Sequence, residues 1–435
     1  MLDINRIRLE KRKIEESLKK RGVDVSFDEI LQKDDKRKKI QAESDDLRAS
    51  RKKISSEIPI LKKENKDVAD LIFQMKTLGD KIDELQVSRK KLEEEIFLFL
   101  TALPNIPDDD VKAGDETNNE VISTYLTQTK YDFPPKNHVE LSKNLDLVDY
   151  ERGVKISGEG FWIYKNLGAR LEWALINFFI NSHLKNGWEF FLVPHILNYD
   201  CGFVTGQFPK FEDEQYTIGQ NEIEPSSDSS MRDFKSKKFI IPTAETALVN
   251  VYKNEILDHD ELPKKLFSYT PCYRKESGSS RIEERGMIRG HQFNKVEMVQ
   301  YTSEEDSGFA FKEMLFNSES IMKDLKLHYQ VSKLAACDCS FTMCRTYDIE
   351  VWLPSIKAYK EVSSVSNCRD FQARRGNMKY RDKKTGKIKF LNTLNASGLA
   401  TSRLFPAILE QYQQKDGSVI VPEVLRPYMG INVIR

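Results

Sequence analysis

The chain contains no run of about 18 consecutive apolar residues, so no membrane span is expected. Its first twenty residues are charged and lack the apolar core of an export signal, which points to the cytoplasm. Cysteine is scarce, with six in 435 residues, and their scatter offers no disulfide framework; a reducing compartment follows. Cys337, Cys339 and Cys344 lie close together, but their spacing fits no standard zinc pattern and no histidine completes it. They read as packed thiols. Net charge is also missing: Lys+Arg and Asp+Glu both total 68. A protein held on a polyanion by bulk charge is thereby excluded, and only local basic patches remain. No Walker loop, Rossmann glycine pattern or nucleophile–histidine constellation is present.

What is present divides in two. Leu71, Met75, Leu78, Ile82, Leu85, Leu92, Ile96, Phe99 and Leu103 alternate at spacings of four and three, missing one beat at Arg89. That is a heptad seam. An earlier segment repeats Ile40, Leu47, Ile54 and Leu61 at sevens, and residues 62–67 between them form a polar turn whose Asp67 can cap the second helix. The pattern predicts two antiparallel helices forming an arm about 50 Å long, with Pro59 kinking or unwinding the first near its tip. Such an arm suits a dimerising coiled coil, a spacer or a rod that grips an elongated partner. Pro104, Pro107 and the acidic run Asp108–Asp110 mark a linker. The expected division is an arm over 1–107, a linker over 108–120 and a second domain over 121–435.

The second domain mixes elements. An amphipathic helix is expected over 168–185, then a buried strand over 188–193. Further strands are expected over 239–241, 266–273, 293–300, 346–353, 360–366 and 389–394, and a helix over 402–412. Several hairpins with few βαβ alternations predict an α+β fold, a mainly antiparallel sheet flanked by helices. The polar, Ser-rich residues 219–236 read as a surface insertion.

The chemistry gathers in five clusters. Arg274 and Glu276 stand two apart at the end of a strand, so they share a face. One offers a planar cation for phosphate or carboxylate, the other an acceptor for an amino group or Mg²⁺. A basic loop with Arg281, Arg285 and Arg289 follows, and the chain returns at His291–Phe293. Thr243-Ala244-Glu245, Lys295-Val296-Glu297, Glu361-Val362-Ser363-Ser364 and Thr393-Leu394-Asn395-Ala396-Ser397 leading to Arg403 complete the set. Each alone is ordinary. Together they supply carboxylates for an ammonium group and Mg²⁺, arginines for phosphates, and small residues on which a flat base could lie.

These blocks carry a resemblance that spans the chain. Thr-Ala-Glu at 243–245, Tyr-Arg-Lys-Glu at 273–276, Lys-Val-Glu-Met-Val-Gln at 295–300, Tyr-Asp-Ile-Glu-Val-Trp at 347–352, Asp-Phe-Gln-Ala-Arg-Arg at 370–375 and Thr-Leu-Asn at 393–395 are similar to those of the seryl-tRNA synthetases. That family belongs to the class II aminoacyl-tRNA synthetases, and this chain resembles its compact bacterial type. Departures are Ala396 and Ser402, where members often carry glycine, and Gly290, where a β-branched residue is common.

The resemblance implies ligation of L-serine to tRNA(Ser) through seryl-adenylate, with tRNA(Sec) also charged, ATP as substrate and Mg²⁺ as cofactor. It implies catalytic roles for Arg274, Arg403 and Glu361, with ATP held by Arg274, Lys275, Glu276, Gly290, Phe293, Glu361, Val362, Ser363, Ser364 and Arg403. Serine would meet Thr243, Ala244, Glu245, Arg274, Glu297, Asn395 and Ser397, and Mg²⁺ would reach Glu361 and Ser364 through ATP. It also implies a homodimer paired through the helix and strand that end near Pro194. A ligase that loads an amino acid onto a carrier protein is the alternative; such relatives lack the long arm. A non-catalytic scaffold built on the coiled coil is the other rival.

Overall fold

The structure, a computed structural model, describes residues 1–218, 237–276 and 286–435. The chain forms two compact units, Met1–Ile106 and Pro107–Arg435.

The first unit is helical. Helix α1 (Ile4–Lys19) is capped by Asp3, which accepts from the Asn5 N–H, and buries Ile7, Ile14 and Leu18. Helices α2 (Asp28–Lys63) and α3 (Ala69–Ala102) are joined by a five-residue turn in which Asp67 accepts from the Ala69 N–H, the capping role expected of it. Partners across the pair run in opposite directions: Lys33 meets Glu95, Arg37 meets Glu93, and Lys81 meets Glu43. The helices are therefore antiparallel. Where the heptad drops its beat, Arg89 reaches across the seam to donate to the Gln41 side-chain oxygen. Two helices shield little, so of the seam only Ile82, Ile96 and Leu103 are buried. Helix α2 does not unwind at Pro59 but runs through it to Lys63, with the Pro59 position contributing no N–H to the ladder. Near the other end of α2, buried Asp34 binds Arg8, Arg37 and Lys38 at 2.8–2.9 Å. Burial works to raise its pKa, and these three cations overcome that and hold it at about 2.

The second unit begins earlier than expected. Residues 108–120, read as a linker, pack against this unit's sheet. Asp108 pairs with Arg345 and Arg369, Asp110 pairs with Lys333, and Val111 is buried. The acidic run lies along a basic edge.

The sheet has eight strands: β1 (Glu120–Tyr125), β2 (Glu189–Phe190), β3 (Lys264–Tyr273), β4 (Gln292–Thr302), β5 (Tyr329–Lys333), β6 (Arg345–Leu353), β7 (Ala358–Arg369) and β8 (Asn392–Ala400). Their spatial order is β1-β5-β6-β7-β8-β4-β3-β2. Every pairing is antiparallel except that of β2 with β3. The strand expected over 188–193 shrinks to the two residues of β2. The one expected over 389–394 splits at Leu391, with Ile388–Phe390 joining a separate small sheet.

Three helices cover one face: α4 (Asn166–Lys185), α5 (Ser307–Asp324) and α6 (Thr401–Tyr412). Their Leu171, Phe179, Phe311, Ile321, Leu404 and Ile408 share one core with Val296, Met298, Val365, Leu394 and Ala396 of the sheet. Side chains alternate along a strand, so Lys295, Glu297, Ser364, Ser366, Asn395 and Ser397 point to the opposite face. Farther along β4, Val299 and Tyr301 on that opposite face are covered by Ala244, Leu248 and Val249. This second cluster carries Thr243 and Glu245 over the sheet.

Candidate active site

The polar face of the sheet opens into a cavity of about 430 Å³. Thr243, Glu245, Glu297, Asn395 and Ser397 line one part, and Thr346, Asp348, Glu361 and Ser364 another. A smaller recess of about 70 Å³ adjoins it, bounded by Gly290, Phe293, Val362, Ala400, Ser402 and Arg403. Arg274, Glu276, Arg289, Lys295, Glu361 and Ser397 border both.

The carboxylate end is tightly wired. Glu245 accepts from the side-chain amides of Gln372 and Asn395, both at 2.9 Å, and the Thr393 hydroxyl fixes Gln372 from behind at 2.7 Å. Glu297 pairs with Lys295 at 2.5 Å, and both are buried. Burial, then the charge of Glu297, pushes the Glu245 carboxyl up to about 7; the Gln372 amide works against them. Two buried carboxylates in one cavity are chemically suited to an ammonium group. Thr243 shares this end, its hydroxyl accepting from the Glu245 N–H at 3.3 Å. Ala244 does not: its side chain belongs to the second apolar cluster.

The basic end is held by backbone oxygens. Arg274 Nε donates to the Pro242 carbonyl at 3.2 Å, and its guanidinium lies over the Phe293 ring, 5.3 Å from the centroid. Arg403 donates from Nη1 to the Glu361 carbonyl at 2.6 Å and from Nε to that of Ile288 at 3.3 Å. These bonds aim both guanidinium groups while leaving further donors for an anion. Glu276 is paired with Arg289 at 2.5 Å.

A β-bulge decides which residues of β7 reach the cavity. Ile349 pairs with Ser363 but the next residue, Glu350, pairs with Glu361, so Val362 is the extra residue. Glu361 is thereby turned to the same face as Ser364, and Val362 reaches the small recess. Ser363 faces away, and its hydroxyl donates to the Ser397 carbonyl at 2.6 Å, tying β7 to β8. Lys275 likewise lines neither space; its backbone N–H bonds to the Glu214 carbonyl. Arg281, Arg285 and the Ser-rich 219–236 lie outside the described residues.

Lys295, Arg289 and Asp348 were missed as site residues. Parity was the available signal for Lys295, two residues from Glu297; Asp348 sits opposite Ser364 in a register that only the folded sheet reveals. Of the departures, Ala396 faces the helical core and touches neither space. Ser402 lines the recess. Gly290 is demanded locally, since a Cβ there would lie 2.2 Å from the Trp162 ring.

Among the described residues no group of three or more His, Cys, Asp or Glu could hold a metal ion. Asp348 and Glu361 nevertheless face the same space. Burial first, then the charge of Glu361, pushes the Asp348 carboxyl well up, and its Oδ1 is buried without a hydrogen bond. Two carboxylates with spare acceptor capacity fit a Mg²⁺ whose other ligands are phosphate oxygens and water.

Residues 1–107 match the family model of the seryl-tRNA synthetase N-terminal domain, and residues 228–412 match that of the class II tRNA synthetase core domain (G, H, P, S and T). Serine–tRNA ligase 2 of Clostridium acetobutylicum is 53% identical over 431 residues, 99% of each chain. Serine–tRNA ligase of Thermodesulfovibrio yellowstonii is 44% identical over the full length of both. Among solved structures, seryl-tRNA synthetase from Pyrococcus horikoshii complexed with ATP superposes with a TM-score of 0.88 at 32% identity, covering 100% of this chain and 99% of that one. A helical hairpin and an antiparallel sheet whose polar face holds buried carboxylates and two arginines thus meet full-length sequence agreement, and the chain belongs to the seryl-tRNA synthetase family.

Proposed function

We propose that this serine–tRNA ligase holds L-serine at the Glu245–Glu297 end of the cavity and ATP at the Phe293–Arg403 end. The reading rests on one arrangement: Arg274 stands between the two buried carboxylates and the recess, where a serine carboxylate would meet the α-phosphate. Glu245 and Glu297 receive the ammonium group, Thr243 and Asn395 bound the hydroxyl, and Ser397 closes the pocket. Phe293 stacks on the adenine, Glu276 faces its edge, and Arg403 takes the γ-phosphate. A serine carboxylate oxygen attacks the α-phosphorus, the bond to pyrophosphate breaks, and seryl-adenylate forms. The 3′-terminal ribose of tRNA(Ser), and of tRNA(Sec), then takes the seryl group and releases AMP.

No protein nucleophile is required; orientation and charge stabilisation carry the rate. Mg²⁺, held by Glu361 with Asp348 and Ser364 beside it, would neutralise phosphate charge. A pocket that hydrogen-bonds the substrate hydroxyl rejects the analogue lacking it by about 10⁴ or more. Loading of a carrier protein is set aside because residues 1–107 match the tRNA ligase arm.

The arm is the tRNA-gripping element in this reading. Arg37 and Lys38 are engaged by Asp34, Arg48 by Asp45 and Lys66 by Glu64. Lys36, Lys39, Arg51, Lys52, Lys53, Lys62 and Lys63 are exposed on α2. They suit phosphate neutralisation along a shape-read RNA. We also infer a homodimer in the cytoplasm. Trp173, Leu184, Phe190, Leu192 and Ile196 are exposed on and just after α4, an apolar face suited to a second copy. Among the described residues no cysteine forms a disulfide, which suits that compartment.

Four outcomes test this. Replacing Arg274 or Arg403 by Ala should cut serine-dependent ATP–pyrophosphate exchange by about 10² or more while circular dichroism is unchanged; near-normal exchange refutes the assignment. Glu245 binds an ammonium only when ionised, so the KM for serine should fall as pH rises through about 7. Glu245→Gln should flatten that dependence, and a flat native profile refutes the role. Deleting residues 33–100 across a short linker should spare exchange and abolish charging of tRNA(Ser) and tRNA(Sec); unchanged charging sinks the arm's role. Light scattering should give twice 50.5 kDa in dilute solution, and the mass of a single chain would exclude the dimer.

A further inference from the structure

Glu172 is a buried carboxylate on α4 that borders neither the cavity nor the recess. It stands in the helical layer behind the sheet, where an apolar side chain would be the ordinary occupant. Its oxygen Oε1 accepts from two donors. One is the Asn294 side-chain amide, at 2.7 Å, and the other is the Thr401 hydroxyl. The Thr401 hydroxyl also lies 3.1 Å from the Asn294 carbonyl oxygen, and the Tyr269 hydroxyl donates to Asn294 Oδ1 at 3.0 Å. The second carboxylate oxygen has no partner within ordinary hydrogen-bond distance; the buried Tyr164 hydroxyl is its polar neighbour.

The positions of these two donors carry the argument. Asn294 lies between Phe293 and Lys295 on β4. Thr401 opens α6, two residues before Arg403, and follows Ala400, which pairs with Lys295. A single atom therefore ties one helix to both segments that form the recess. Burial pushes the Glu172 carboxyl up to about 7 against the pull of Thr401, Asn294 and Tyr164. No cation pairs with it among the described salt bridges, so hydrogen-bond acceptance rather than charge is what it offers.

We propose that Glu172 is a positioning residue for the nucleotide: through Asn294 and Thr401 it sets the spacing between the Phe293 ring and the Arg403 guanidinium. The inference rests on the reading that ATP occupies this recess. It assigns no contact between Glu172 and substrate. Serine binding depends on Glu245 and Glu297, whose hydrogen bonds come from Gln372, Asn395, Lys295 and Ser397, and should respond little.

The test is ATP–pyrophosphate exchange by the full-length protein, with KM measured separately for ATP and serine. Glu172→Ala should raise the KM for ATP by about tenfold or more, because small misplacements of binding groups are costly, and leave that for serine within about twofold. Glu172→Gln keeps an acceptor oxygen and should restore the ATP value to within about threefold of native. Thr401→Val removes the donor without changing shape and should repeat the ATP defect in milder form; it decides the matter if Glu172→Ala does not fold. An unchanged KM for ATP in both the Ala and Val variants overturns the proposal. So does an equal rise for both substrates, or a Gln variant as impaired as Ala. Arg403→Ala is measured beside them: if its KM for ATP is native, the nucleotide reading of the recess has failed rather than the role of Glu172.

Discussion

The catalytic unit depends on the burial of charge along one face of an antiparallel sheet. Isolated carboxylates out of water cost several kcal/mol each unless paired or hydrogen-bonded. Here Glu245 is held by two amides, Glu297 by Lys295 and Arg403 by two backbone carbonyls. The compensation is incomplete, as the raised carboxyls of Glu245 and Asp348 show. Cationic ligands can supply what is missing, and the cavity is open to them. The opposite face carries the apolar core, and strand alternation keeps the two chemistries 180° apart.

Local irregularities refine that plan. The extra residue Val362 moves Glu361 onto the site face and puts its own side chain against the recess, so one bulge serves both spaces. Ser363, displaced from the site, ties β7 to β8 instead. At Gly290 the missing side chain makes room for Trp162, a requirement set by a residue 128 positions earlier in the chain. Ala396, a departure from the family pattern, faces the helical core and leaves the site untouched.

The arm obeys a different economy. Two helices alone cannot bury a wide stripe, and its seam holds only a few fully enclosed apolar residues. Polar contacts complete the match: Arg89 to Gln41 where the heptad fails, and Asp34 with its three cations near the start of α2. The ion pairs also consume part of the basic surface.

Much of this was legible in the sequence. Heptad spacing alone determined the hairpin, including the fault at Arg89, because helix packing depends on local periodicity. Strand alternation and Arg-x-Glu spacing placed Arg274 and Glu276 on one face of a hairpin, and separated short blocks marked the carboxylates and arginines that line the cavity and recess. Other features belong to tertiary structure. Whether Ser363 or Glu361 faces the cavity depends on a one-residue bulge set by pairing with β6. That residues 108–120 pack rather than hang free depends on Arg345, Arg369 and Lys333, more than two hundred positions away. That Glu172 binds Asn294 and Thr401 depends on a helix docking against two distant segments. Periodicity is a property of neighbours in the chain and can be read from them; register and ion pairing are properties of neighbours in space, and only the folded sheet brings those together.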